Sequence, residues 1–346
     1  MTKTARTLAA ALLFVAGTSV AQAQERPGIL DALALSGSGN LTSFALSQPE
    51  LPRQLHRVRA HLLAKEGFIG RPGMVMDKHI SFSPVLTYDG NINGGAVGDS
   101  LVISGLRFQV REDQVSKGGI LVGGGVDGGA NINLAHNTAL QLDFGAWAGW
   151  SPQHELSKGG VNLSACVAKQ ATPATRLRAC ARASHLEYEL GKTQRASLEI
   201  GAAHAYSVTN GFNEVDLSLR EERTFGGKVE DQRILSLRHT TAHRSGLTFT
   251  VGGNLGSDTD GISMRERVHA SAAKIIAGRP TSIFLSAQNN RGGRFLGESR
   301  AENIFSLGLS RQVRDNLTIR VSGTKVRAKH EFFNQNSLGL DFGIRF

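Results

Sequence analysis

Arginines and carboxylates are the side chains of this sequence best placed to act together. Arg107, Arg111, Arg265, Arg267, Arg320 and Arg345, with Asp143, Glu187, Glu189, Glu199 and Asp341, fall on the polar side of alternating segments. Opposed charges sharing one surface either pair and fill an interior or set a field that selects solutes. Enzyme chemistry has weaker candidates. His204 lies near Ser207, His239 beside Arg238 and His269 near Arg267. None forms a recognisable nucleophile–base motif, so no catalytic residue and no cofactor is assigned. In "YDGNINGG", Asp89, Asn91, Asn93 and Gly94 copy the start of a calcium loop. Position twelve of such a loop needs Glu and here is Ser100, so no metal is expected and the string reads as a strand end entering a tight turn.

The only two cysteines, Cys166 and Cys180, flank Pro173 in "CVAKQATPATRLRAC". If Pro173 sits at a hairpin tip, the two thiols fall opposite each other and can form a disulfide. The alternative is a pair of free, partly buried thiols. Two cysteines without a histidine cluster fall short of a tetrahedral metal site.

The elements that must carry these residues alternate with a period of two. The segment "SLGLDFGIRF" puts Leu338, Leu340, Phe342, Ile344 and Phe346 on one face, and Ser337, Gly339, Asp341, Gly343 and Arg345 on the other. The same pattern recurs around Ile80–Tyr88, Leu106–Val110, Leu140–Phe144, Leu198–Ile200, Leu247–Val251, Phe305–Leu309 and Leu317–Val321. A period of two is the strand period. Forty-one glycines and only 8 prolines among 346 residues suit sheets with many turns and crowded interiors.

Residues 1–23 read as a secretory signal peptide, with Lys3 and Arg6, an apolar stretch from Leu8 to Ala16 and a cleavage site after Ala23. The stretch is shorter than the ~20 residues a membrane-crossing helix needs. Without Lys3 and Arg6 the formal charge of +10 becomes +8. Residues 24–78 differ from the rest. Leu51, Leu55, Val58 and Leu62 recur at helical spacing, predicting one amphipathic helix in a periplasmic arm or plug, or within a linker.

Alternation alone also fits a soluble sandwich. Export, long strands and charged residues on the polar faces favour a transmembrane antiparallel β-barrel over residues 79–346, in the outer membrane of a Gram-negative cell. Backbone groups cannot go unpaired in lipid, so a sheet there must close. Short turns and long loops alternate in such barrels. Short turns are expected at 191–194, 243–246, 277–280 and 314–316, with long connections at 254–261, 289–302 and 327–336, and this alternation makes 136–137 an outer loop, short for one. Placing 214–222 in a long outer loop leaves about 14 strands, with 12 to 16 allowed.

Residues 79–346 also resemble the β-barrel domain of the surface lipoprotein assembly modifier family. The likeness rests on Pro84, Tyr88, Asp89, Asn91 and Asn93 in "FSPVLTYDGNINGG", on the cysteine pair, and on the final "FFNQNSLGLDFGIRF". It implies a barrel that helps move surface lipoproteins or secreted proteins across the outer membrane. The alternatives are a passive porin-like channel for small, anionic solutes, and a structural or adhesin-like barrel. The partners expected are outer-membrane lipid and lipopolysaccharide, the barrel assembly machinery and a lipoprotein or secreted cargo. Nucleic acid is not among them. The mature polypeptide is expected to need detergent or lipid to stay in solution. Its folded form should migrate differently from the boiled form on denaturing gels; free solubility would contradict the barrel.

Overall fold

The computed structural model describes residues 28–49, 55–96, 98–103, 106–225, 230–295, 297–330 and 333–344. The expected signal peptide, Leu51, Arg345 and Phe346 lie outside them. Three short helices come first: α1 (Gly28–Ser36), α2 (Gly39–Ala45) and α3 (Leu55–Lys65). Sixteen strands follow: β1 (Val75–Asp89), β2 (Ser100–Ile103), β3 (Leu106–Gln109), β4 (Gly119–Ala135), β5 (Thr138–Ser151), β6 (Leu156–Gln170), β7 (Thr175–Tyr188) and β8 (Gly191–Val208), then β9 (Gly211–Phe225), β10 (Glu230–His243), β11 (Thr248–Gly256), β12 (Ser263–Ile276), β13 (Arg279–Phe295), β14 (Glu298–Arg314), β15 (Leu317–Ala328) and β16 (Gln335–Ile344).

Fourteen of them form one sheet in the order β1, then β4 through β16, each antiparallel to the next; β2 and β3 make a separate hairpin. The two edges of the sheet, β1 and β16, lie side by side, so the sheet curls into a nearly closed barrel. Its strands run from 9 residues in β11 to 18 in β8. About 9–11 tilted residues suffice to cross a bilayer, so most strands also reach past it.

Polarity is inverted relative to a soluble sheet. Ile80, Phe82 and Leu86 on β1, Leu198 and Ile200 on β8, Leu235 and Leu237 on β10, Leu307 and Leu309 on β14, and Leu338 and Leu340 on β16 are all exposed on the outer wall. Leu198, at 68%, is the most open large apolar side chain among the described residues. The inner wall instead buries Asn133, Ser151, Glu199, Glu214, Asp216, Ser218, Thr240, Thr248 and Glu302. Lipid chains must cover that outer face. The chain is an outer-membrane β-barrel.

Both ends of the sheet, Val75 and Ile344, lie at the mouth that carries the tight reversals at 136–137, 171–174, 209–210, 244–247, 277–278 and 315–316. Short turns mark the periplasmic side. The longest connection, 90–118, holds the β2–β3 hairpin at the other mouth.

Four sequence expectations need correction. Residues 214–222 are not a loop but the middle of β9, where Val215, Leu217 and Leu219 alternate with Glu214, Asp216 and Ser218. Parity explains the difference: 191–194 is not a periplasmic turn but the start of β8, and the chain reverses at 189–190 on the outer side. The reversal at 136–137 is periplasmic, which explains its shortness. The barrel wall starts at Val75 rather than at residue 79. The helix near Leu55 buries Leu63, while Val58 is 51% exposed. Two further helices, α1 and α2, precede it; their partner surface is the far end of the chain, which local periodicity does not reveal.

Glycines permit close approach across strands. A Cβ on Gly308 would fall within the ring of Phe284 on the neighbouring strand, and one on Gly252 would meet the His269 imidazole. Gly308→Ala should therefore cost about 1–3 kcal/mol by overpacking, measured by urea unfolding in vesicles. Adding Phe284→Ala should recover most of the loss; no recovery would refute this reading of the contact.

Candidate functional site: a charged lumen above a helical plug

Small lumen-facing residues at the periplasmic end make room for helices. Ile29, Ala32 and Leu33 of α1 and Leu41 and Ala45 of α2 are buried in one cluster with Ala205, Phe212 and Ala242 of the inner wall. Phe44 meets Phe212 edge-on, centroids 6.3 Å apart. Polar tethers fix the orientation. The Ser38 hydroxyl caps α2 by accepting from the Leu41 amide at 3.1 Å and donates to Glu214 at 2.8 Å. Asn40 Nδ2 donates to Glu214 at 3.0 Å and to the Ala174 carbonyl at 3.2 Å, and Gln170 Nε2 donates to Asn40 Oδ1 at 2.9 Å. The Thr248 hydroxyl donates to the Ala32 carbonyl.

A second anchor follows α3. Leu63 and Phe68 bury against Ala139 and Ala168. Arg176 lies 4.4 Å over the Phe68 ring and donates to Glu66 at 2.8 Å. Residues 28–49 and 55–68 thus pack against the inner wall at the periplasmic mouth.

Above α2, a cavity of about 500 Å³ is bounded by Gly37–Asn40, the disulfide and a belt of charge. Arg178 is the centre of the belt. It donates to both oxygens of Asp216, at 2.7 and 2.9 Å, and to Glu199 at 3.2 Å. Arg182 reaches the other Glu199 oxygen at 2.7 Å and Arg238 reaches Asp216 at 3.2 Å. Three guanidiniums share two carboxylates. The carboxylates are nearly buried, whereas the Arg238 side chain is 50% exposed to the cavity. Gly201 makes this possible, because the Arg178 guanidinium carbon lies 2.8 Å from where its Cβ would stand. Cys166 and Cys180 are directly opposite in the β6–β7 ladder and joined as a disulfide on the lumen wall.

A second cavity, of about 650 Å³, lies along the opposite wall beside Leu35 of α1. Ser81 and Ser83 of β1, Ser282 of β13, Ser310 of β14, Arg320 of β15 and Asp341 of β16 line it, down to the turn at Asp315 and Asn316. Arg320 and Asp341 are cross-strand neighbours.

Of the residues singled out from sequence, Asp143, Glu199, Arg267, Arg320 and Asp341 share the lumen phase of their strands. Arg265 sits at a register shift and pairs with Asp258 at the outer mouth. Arg107 and Arg111 do not line the lumen. They lie on and just after β3, where Arg107 donates to Ser100 and Arg111 to Asp113, because the alternation there belongs to a hairpin outside the wall. Glu187 is also displaced: it shares the outward phase of Leu177 on β7, its side chain is 74% exposed, and Glu189 lies in the outer turn.

The "YDGNINGG" residues organise the first outer connection. Pro84 and Tyr88 face outward on β1. Asp89 accepts from Lys158 at 2.7 Å and from the Asn91 amide at 2.8 Å. The buried Asn93 donates to the Val115 carbonyl and accepts from the Lys117 amide, each within 2.9 Å. His204 and His239 sit on the outer wall, bonded to Thr175 and Tyr206, while His269 lines the first cavity. Sequence reading overlooked Arg178, Arg182 and Asp216, and noted Arg238 only as a neighbour of His239. The signal was present in "TRLRACARAS", where Arg176, Arg178, Cys180 and Arg182 are spaced by two.

No protein-family model and no curated protein matches the chain. Among solved structures it is similar to a BenF-like porin from Pseudomonas fluorescens Pf-5, with 8% identity, coverage of 79% of this chain and 100% of that one, and a TM-score of 0.42. Pseudomonas putida OprB is 10% identical over 85% of this chain and 97% of that one, with a TM-score of 0.44. Pseudomonas aeruginosa OccK2, solved with glucuronate, is 10% identical over 79% and 98%, with a TM-score of 0.40.

Removing the Arg178 guanidinium leaves two nearly buried carboxylates short of partners. Arg178→Ala should cost about 2–4 kcal/mol in urea unfolding. Arg178→Lys should recover only part, because it loses the two-pronged geometry to Asp216. Wild-type stability in both variants would show the belt to be energetically idle.

Proposed function

We propose that the barrel is a porin-like channel for small solutes, narrowed by its own helical plug and biased towards anions. The observation that carries this reading is the polar cavity beside the plug, walled by serines with Arg320 and Asp341, which reaches the periplasmic turn at Asp315 and Asn316. Helices α1 and α2 pack against β8–β12, and the anchor around α3 lies by β5, β6 and the periplasmic end of β1, so the open space runs along β13–β16 and β1 from Ser81 onward. Anion preference is supported by the belt, where Arg182 and Arg238 each use one nitrogen on a carboxylate and keep the rest of the guanidinium towards the cavity. A ring of fixed positive charge lowers the barrier for anions and raises it for cations.

Lipoprotein translocation, implied by the family resemblance, ranks second. The motif residues behind that resemblance shape the first outer connection, a task that any barrel with a long loop can use.

In planar bilayers the full chain should give small, steady conductance steps with anion selectivity. Deleting residues 28–48 should raise the step several-fold, and Arg182→Gln with Arg238→Gln should shift the reversal potential towards cations. A barrel that stays silent after the deletion would overturn the channel reading and leave translocation, tested by the surface proteome of a deletion strain.

A further inference from the structure

Basic side chains on the outer wall near the extracellular mouth fall into two kinds. In the sector from β7 to β10 each faces a carboxylate. Lys192 is directly opposite Glu187, Arg233 is directly opposite Glu221, and Arg223 donates to Asp231 at 2.5 and 2.9 Å. In the sector from β13 to β15, Lys329 just past β15 pairs with Glu298 at 3.2 Å, but three others have no such partner. Arg291 is opposite Ala301, Arg327 is opposite Asn303, and Lys325 lies between Phe305 and Asn336. Among the described residues, Arg291, Lys325 and Arg327 make no ion pair and no side-chain hydrogen bond, and all three are exposed.

Their surroundings are those of a headgroup site. Asn289 and Asn303 bond to each other at 2.9 Å in the same outward row as Arg327. Glu266, opposite Asn289, is the one carboxylate in that row and is separated from Arg327 by the two asparagines. Directly below runs apolar wall: Val268, Phe305, Leu307 and Leu338 are 61%, 42%, 56% and 63% exposed. Strands stand about 4.8 Å apart, so Arg291 and Arg327, two strands apart, span roughly 10 Å. That matches a broad headgroup better than a single small anion.

We propose that Arg291, Lys325 and Arg327 bind the phosphates of a phosphorylated glycolipid of the outer leaflet, with its acyl chains lying on Phe305, Leu307 and Leu338. The site goes beyond the channel reading and does not depend on it. Charge complementarity selects the occupant. Three unpaired cations sit at the border between apolar wall and water, where an anionic lipid presents its phosphates, and each contributes about a fivefold gain in affinity.

Native mass spectrometry of the full-length barrel with bisphosphorylated lipid A, and with the same lipid stripped of phosphate, tests this. The wild type should retain the bisphosphorylated form, and Arg291→Gln/Lys325→Gln/Arg327→Gln should lower retention at least tenfold. The matched triple Lys192→Gln/Arg223→Gln/Arg233→Gln should stay within about twofold of wild type. Inorganic phosphate should not displace the lipid. Equal retention by the first triple, equal loss in the second, equal binding of the phosphate-free lipid, or displacement by inorganic phosphate would each overturn the assignment. The heat-dependent gel shift reports folding, and Lys325→Gln alone should still show about a fivefold loss if the triple misfolds.

Discussion

Hydrocarbon offers no partner to a backbone N–H or C=O, and every other feature of this protein answers that constraint. A helix satisfies its own backbone, but no helix among the described residues is long and apolar enough to cross a membrane. The chain crosses with strands instead, and strands are satisfied only by neighbours, so fourteen of them run in sequence order until the last lies beside the first. Closure then sets side-chain chemistry. Alternate residues meet lipid and lumen, so leucines and phenylalanines stand exposed while serines, asparagines and carboxylates are buried.

A polar interior raises the opposite problem. Buried carboxylates need donors, since unpaired charge in a confined lumen is costly. Glu214 is held by Ser38 and Asn40 of the plug, Asp216 by Arg178 and Arg238, and Glu199 by Arg178 and Arg182. The plug is therefore more than an apolar filling. Its polar residues complete the wall at the periplasmic end, and the guanidiniums above it are stabilised on one edge and open to the cavity on the other. In the proposed channel, the residues that neutralise the wall are also those that would bias solutes, so structural and functional readings of the lumen charge do not compete.

Glycine frequency follows from the same crowding. Gly201 admits Arg178, Gly252 admits His269 and Gly308 admits Phe284. Each absent side chain lets a larger one lie flat along the neighbouring strand. The outer wall obeys a simpler rule: at the extracellular mouth its cations face carboxylates from β7 to β10, while Arg291, Lys325 and Arg327 face amides and apolar groups between β13 and β15.

The period of two, sustained from β1 to β16, was readable residue by residue because each strand's two faces meet different media wherever the strand lies. Strand number and membrane class followed from it. The cysteine pair was legible through its spacing about Pro173, as a short hairpin brings near neighbours in sequence together. By contrast, the sequence assigned Arg107, Arg111 and Glu187 to the lumen wrongly. Alternation shows that two faces exist, while only the register of the neighbouring strand shows which one is inside, or that a short hairpin lies outside the wall altogether. The partners of Arg178, the seat of α1 and α2 against Ala205, Phe212 and Ala242, and the unpaired state of Arg291, Lys325 and Arg327 were likewise decided by tertiary structure. All of them depend on contacts across separate strands, and in a closed sheet those contacts are set by strand stagger and curvature rather than by any local run of residues.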